Sequence, residues 1–257
     1  MILRRISQAI RRQDWFTVLI EICIVVIGLL IGLQINNWNE TRADRLQENA
    51  FIERLVVDVD RVRLQLKEFL MSRENRLNSI AKVENMYFGK AEVKPIDEFE
   101  CLYLANMHLI TLPPVAVPSI TEAFTAGRID LLSETALIQV LIIVKQSEDR
   151  LRSVINDLKN ESPNLSEKYP EAISWVRATE QSHLSLDSEV FANDGYRSAA
   201  QCHFLETTPD KSFLSDLVRG LQTNRWYVTF LYRHLDRLDE LAEVLTDLTI
   251  ANQSEKQ

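Results

Sequence analysis

An all-α architecture is predicted: one N-terminal transmembrane-length helix continuing into a soluble antiparallel helical bundle. Three features predict it. Phe16 to Ile35 is an apolar run of twenty residues with one acid and one amide. The whole chain holds only 6 Gly and 7 Pro, too few breaks for many short strands and tight turns. Apolar residues then recur at three- and four-residue steps along two long stretches, which is the period of a helix face.

Residues 1–14 read as a basic tail carrying Arg4, Arg5, Arg11 and Arg12. Ile2, Leu3, Ile6 and Ile10 could face lipid while these arginines meet an anionic inner leaflet. Residues 15–38 read as the membrane helix. Its apolar run spans about 30 Å at the helical rise, the thickness of a hydrocarbon core. Trp15 and Trp38 bracket it where amphipathic rings prefer to sit. A cleaved signal peptide competes with this reading, but the run ends in Gln34-Ile35-Asn36-Asn37-Trp38, not in the small residues of a cleavage site. Arginines on the N-terminal side favour a cytoplasmic N-terminus, since Arg42, Arg45 and Arg54 beyond the span are diluted by acids. Residues 39–250 are then an extracytoplasmic helical domain, and residues 251–257 a polar, disordered tail.

Within the span, Thr17, Glu21, Val25, Gly28, Gly32 and Asn36 recur every three or four residues and share one face. Gly28 and Gly32 form a G-x-x-x-G pair, which lets two backbones approach closely. A carboxylate facing lipid is expensive, so Glu21 on that face should seek a partner or reach water at the near edge. Glu21, Gly28, Gly32 and Asn36 are therefore the candidate membrane-helix interface, for a second copy or a membrane protein partner. A lone anchor is the plainer alternative.

Asn39 to Phe88 contains no Pro or Gly. Leu55, Val59, Val62, Leu66, Phe69, Arg73, Leu77, Ile80, Val83 and Tyr87 set its inward face. Glu98 to Leu109 reads as a short helix, and Thr111 to Pro118, with Pro113 and Pro114, as an extended connection. Ser119 to Ala126 is a short helix stopped by Gly127 in a left-handed cap. Ser133 caps a helix to about Lys159, with Leu137, Val140, Leu141, Val144, Leu151, Ile155 and Leu158 inward. Ser162 to Pro170 is a loop, and Glu171 to about Val190 a weaker helix before an Asn193-Asp194-Gly195 turn. Thr208-Pro209 starts the last helix. Its seam of Leu217, Leu221, Asn224, Val228, Leu231, Leu235, Leu238, Ala242 and Leu245 keeps a heptad step, as in coiled-coil bundle packing near 20°. Asn224 in that seam sets register or faces a wet gap. The aromatic patch of Trp226, Tyr227, Phe230 and Tyr232 reads as core packing or a partner surface.

Composition limits function. A net charge of −8 argues against a nucleic-acid footprint, which needs a basic face. Cys23, Cys101 and Cys202 have no metal-type spacing, and the four histidines are scattered. No metal or other cofactor is expected. Cys101 and Cys202 are the pair available in an oxidising compartment, as a disulfide or as two buried thiols. G-x-S-x-G, H-E-x-x-H and Gly-rich phosphate loops are absent, and no catalytic residue emerges.

The run Glu21 to Arg45, EICIVVIGLLIGLQINNWNETRADR, resembles the N-terminal signature of a bacterial family of unknown function. Its members carry V-V-I-G-x-x-I-A-L-Q-I-N-N-W-N-E after a basic tail and before a helical region; Gly32 stands here where Ala is usual. Pro118 to Leu132 resembles a second block of that family. The resemblance implies a single-pass bacterial inner-membrane protein and carries over no catalytic residue. The leading expectation is a non-enzymatic interaction or scaffold protein of the envelope. An extracytoplasmic ligand sensor signalling through a separate partner, favoured by a polar-lined cavity between helices, is the alternative. An unrecognised hydrolase would need a deep pocket with perturbed carboxylates.

Overall fold

The computed structural model describes residues 15–89, 92, 94–177, 198–203 and 210–254. The basic tail, the second half of the helix expected after Glu171, the Asn193-Asp194-Gly195 turn and the Thr208-Pro209 helix start lie outside these residues. The chain forms two compact units, Met1–Arg54 and Leu55–Gln257. Helix α1 (Trp15–Phe88) supplies residues to both.

In the first unit every described side chain from residue 19 to residue 47 is exposed. Among the described residues nothing buries this apolar segment, which is long and apolar enough to cross a membrane by length and composition. Exposed aliphatic side chains in such a row are costly in water.

Among the described residues, the regular structure of the second unit is helical apart from one antiparallel strand pair. Residues 55–88 of α1 bury Leu55, Val59, Val62, Leu66, Ile80 and Val83, six of the ten inward positions read from the sequence; Phe69, Arg73, Leu77 and Tyr87 are half-buried, and Leu70 is buried beside Phe69. Helix α2 (Glu98–Ala105) opens with a capping box: Asp97 Oδ1 accepts from Glu100 N at 2.7 Å, and Glu100 Oε2 accepts from Asp97 N at 3.2 Å. It stops at Ala105, short of the Leu109 expected: Asn106 leaves the helical dihedrals at φ −103° and ψ 10°, and its side chain donates to Leu102 O. Helix α3 (Pro118–Thr125) has Pro at its first turn and no side-chain cap of its own. Asp58 of α1 supplies one, accepting from Ser119 N at 3.3 Å and from the Ser119 hydroxyl. Gly127 follows with φ 65°, the left-handed conformation expected there.

Helix α4 (Thr135–Glu161) begins two residues after Ser133, which is not its cap; Glu134 holds that position without a side-chain hydrogen bond. Leu137, Leu141, Val144, Leu151, Ile155 and Leu158 are buried, and Val140 is half-buried. The stretch read as a loop contains a short helix, α5 (Leu165–Lys168), capped by Asn164.

The helix expected from Glu171 is corrected. Ile173–Arg177 is a strand, β1, paired antiparallel with β2 (Ser198–Cys202) from Ile173↔Cys202 to Arg177↔Ser198. β-Branched and aromatic residues at 173, 175 and 176 suit a pleated, half-buried surface. Ile173 is buried while Trp175 faces out. Helix α6 (Lys211–Ser254) runs four residues beyond the boundary drawn at 250. Its seam is buried at Leu217, Leu221, Asn224, Val228, Leu231, Leu235, Leu238 and Leu245. It lies antiparallel to α1, as Arg63–Asp239, Tyr232–Glu74 and Arg225–Glu84 show by running in opposite order.

Two cores result. Beneath α2 and the hairpin, Leu102, Leu104, Leu165, Ile173, Phe213 and Leu217 cluster with Cys101. The Sγ atoms of Cys101 and Cys202 are bonded at 2.07 Å, tying α2 to β2. Elsewhere α4 packs along α6, where fully buried His234 uses both ring nitrogens: Nδ1 meets Ser147 Oγ and Nε2 meets Val115 O, each at 3.1 Å.

Candidate functional site

Within the irregular chain between α2 and α3, Leu109 N and Ile110 N donate to Asn106 O and His108 O, and other carbonyls find their donors on side chains elsewhere. Besides His234 at Val115 O and Ser162 Oγ at Met107 O, three side chains act around residues 107 to 111. Asn224 Nδ2 donates to Met107 O and to Gly220 O, both at 2.9 Å. Arg73 donates to Leu109 O at 3.2 Å and to Thr111 Oγ1 at 3.0 Å. The buried Tyr227 hydroxyl donates to Thr111 O. Asn224 therefore acts as a bracket for residue 107. Burial pushes the Tyr227 phenol up to about 12, against the opposing pull of Arg73.

A cavity of about 510 Å³ lies between this segment, α1 and α6. Such a volume lies within the range of small-molecule sites. Its walls are Phe69, Leu77, Ile80 and Met107 on the apolar side, and Ser72, Arg76, Asn106 and Glu68 on the polar side, with Arg73 at the junction. The Arg73 guanidinium sits over the rings of Phe69 and Tyr227, at 5.1 and 5.4 Å, and Arg76 sits over Tyr103 at 5.5 Å. Phe69 and Tyr227 meet edge to face at 6.4 Å.

A second polar cluster is structural. Asp216, 3% exposed, accepts from Lys168 and Tyr169 and lies 3.6 Å from Arg219. Burial pushes its carboxyl up, but the Lys168 and Tyr169 hydrogen bonds hold it below the usual range. It locks α5 to α6. Among the described residues, no three His, Cys, Asp or Glu side chains gather as a metal ion would require.

The four residues singled out in the span lie at helical spacings of seven, four and four, and all are exposed. A Cβ built on Gly28 or Gly32 meets nothing within 4 Å. Asn36 Nδ2 donates to Glu40 Oε1 at 2.9 Å along its own helix. Sequence reasoning did not find the cavity. Its one legible signal was Arg73, a charged residue on an otherwise apolar inward face.

No curated protein and no solved structure matches the chain. Residues 21–137, which hold the apolar run and the α1 and α2 walls of the cavity, match the model of a family described as a family of unknown function, DUF6090.

Proposed function

We propose that this chain is a single-pass bacterial inner-membrane protein whose helical domain acts by binding, as a non-enzymatic interaction or scaffold protein of the envelope. The observation that carries this is the apolar segment of α1, whose side chains from residue 19 onward are all exposed, with no partner among the described residues. Lipid is the solvent that makes such a surface stable. The basic tail favours a cytoplasmic N-terminus. The Cys101–Cys202 bond supports an exported domain independently, because disulfides persist in oxidising compartments.

In this reading Glu21, Gly28, Gly32 and Asn36 form the contact face within the membrane, for a second copy or a partner span. Replacing Gly28 and Gly32 by Ile reduces crosslinked oligomer in membranes several-fold, because branched side chains keep the backbones apart. Undiminished crosslinking removes that face from the proposal, and extraction of the chain from membranes by alkaline carbonate removes the anchor.

The cavity favours a second reading, an extracytoplasmic ligand-binding domain that signals through a separate protein. Native mass spectrometry of chain purified in mild detergent then finds a small molecule on the wild type and none on a Ser72→Trp variant, whose indole fills the space. Equal spectra from both count against it.

A further inference from the structure

One face of α1 in the second unit is apolar where the bundle does not need it. Val57, Leu64 and Met71 are 57%, 60% and 66% exposed and stand one heptad apart. Leu66 of the inward row lies about 180° round the helix from Val57, so this row is not core that failed to bury. On one side it is flanked by Asp60 and Lys67, on the other by Arg61 and Glu68. The sequence of signs is minus, plus on one flank and plus, minus on the other.

We infer that this row is a contact surface for a second copy of the chain, aligned in parallel. Two-fold symmetry about an axis along the helix brings one flank of each copy against the opposite flank of the other at the same level. Arg61 then meets Asp60 of the second copy, and Glu68 meets its Lys67, on either side of a Val57–Leu64–Met71 strip. Arg61, Asp60 and Lys67 stay exposed in the intramolecular pairs they make, which compete little: Arg61–Asp58 at 3.2 Å, Asp60–Arg63 at 2.9 Å and Lys67–Asp239 at 3.5 Å.

Three apolar residues would not hold two free proteins together. A shared membrane changes the arithmetic, because tethering raises effective concentration toward the millimolar range and lets a weak contact form. It also sets direction, since chains anchored by N-terminal spans in the same sense run parallel. The inference therefore rests on the membrane-anchored reading above. It adds a contact outside the span that does not use Gly28 or Gly32.

The test uses the full chain in membrane vesicles, with Cys23→Ser to remove the free thiol. Under mild oxidation, Val57→Cys and Met71→Cys each give covalent dimer with themselves, whereas Gln146→Cys on α4 gives at least fivefold less. Reversing one flank, with Asp60→Lys and Lys67→Glu, sets like charges against each other in the parallel pair and lowers the yield at least fivefold. Adding Arg61→Glu and Glu68→Lys restores it, which a folding defect would not allow. An antiparallel pair keeps its matches under the one-flank reversal, so an unchanged yield overturns the inference, as does equal yield at Gln146. Chain that pellets with the vesicles but fails to crosslink sinks this surface alone. Chain left in the supernatant sinks the anchor and this surface together.

Discussion

Replacing both Cys101 and Cys202 by Ser lowers the stability of the helical domain by about 4–5 kcal/mol. The bond closes a separation of 101 residues, and in the chain-entropy model a loop of about 100 residues restricts the unfolded chain by about 4.7 kcal/mol. The folded side points the same way. A lone two-stranded hairpin is marginal in water, and here β2 is fastened to α2 by the bond, while His203 N donating to Ala172 O at 2.8 Å extends its pairing with the β1 side by one residue. Without the bond, Ile173 and Ala200 are less firmly held in the core they share with Phe213 and Leu217. Urea unfolding of wild-type and Cys101→Ser/Cys202→Ser chains in detergent reads the difference as a lower midpoint. Adding reductant to the wild type should reproduce it. A midpoint unmoved by either treatment shows that the bond does not form in the cell, and with it goes the second argument for an exported domain.

His234→Ala costs about 3 kcal/mol, since it empties a fully buried site and leaves Val115 O and the Ser147 hydroxyl without their partner. The same residue gives the domain a pH dependence whose sign is fixed. Burial pushes the imidazole below its ordinary value, and this outweighs the opposing effects of the Val115 carbonyl and the nearby Glu148 carboxylate. The folded state therefore resists the proton that the unfolded chain accepts near pH 6.5. The stabilising contribution is complete above that pH and is lost as pH falls through the lowered folded value, at no more than about 1.4 kcal/mol per pH unit for one proton. His108, also lowered by burial, adds to the same slope. Urea midpoints should fall between pH 7 and pH 5 in the wild type. His234→Gln, which does not titrate, should lose much of that fall; a variant with the wild-type slope shows that another group carries it.

Legibility in the sequence followed length. In α1 and α6 many turns repeat one pattern, so much of each inward face was readable, from Leu55 to Leu66 and from Leu217 to Leu245, while Leu70, Tyr227, His234 and Leu241 are buried outside the rows read. Short elements were not. Ile173 to Arg177 carries only five residues, and its partner strand Ser198–Cys202 is polar and small, so nothing local announces a pair that depends on contact across the chain. Ser133 has the chemistry of a cap but stands one residue too early, because α4 enters through Glu134. The cap of α3 was invisible for a different reason: Asp58 reaches it from 61 residues away. The cavity likewise lies between elements distant in sequence. Asn224, Arg73 and Tyr227 come from two helices and converge on carbonyls 107 to 111.

The hairpin also decides where this domain can change length without cost to its frame. Arg177 and Ser198 are directly opposite one another, so the chain departs from and returns to a single point. Lengthening a connection whose two ends already meet raises its closure cost only logarithmically. A two-residue turn of the Asn-Gly kind would join the same two ends. Evolution and the protein engineer meet the same freedom there, while every other described connection links elements whose separation the bundle has already fixed.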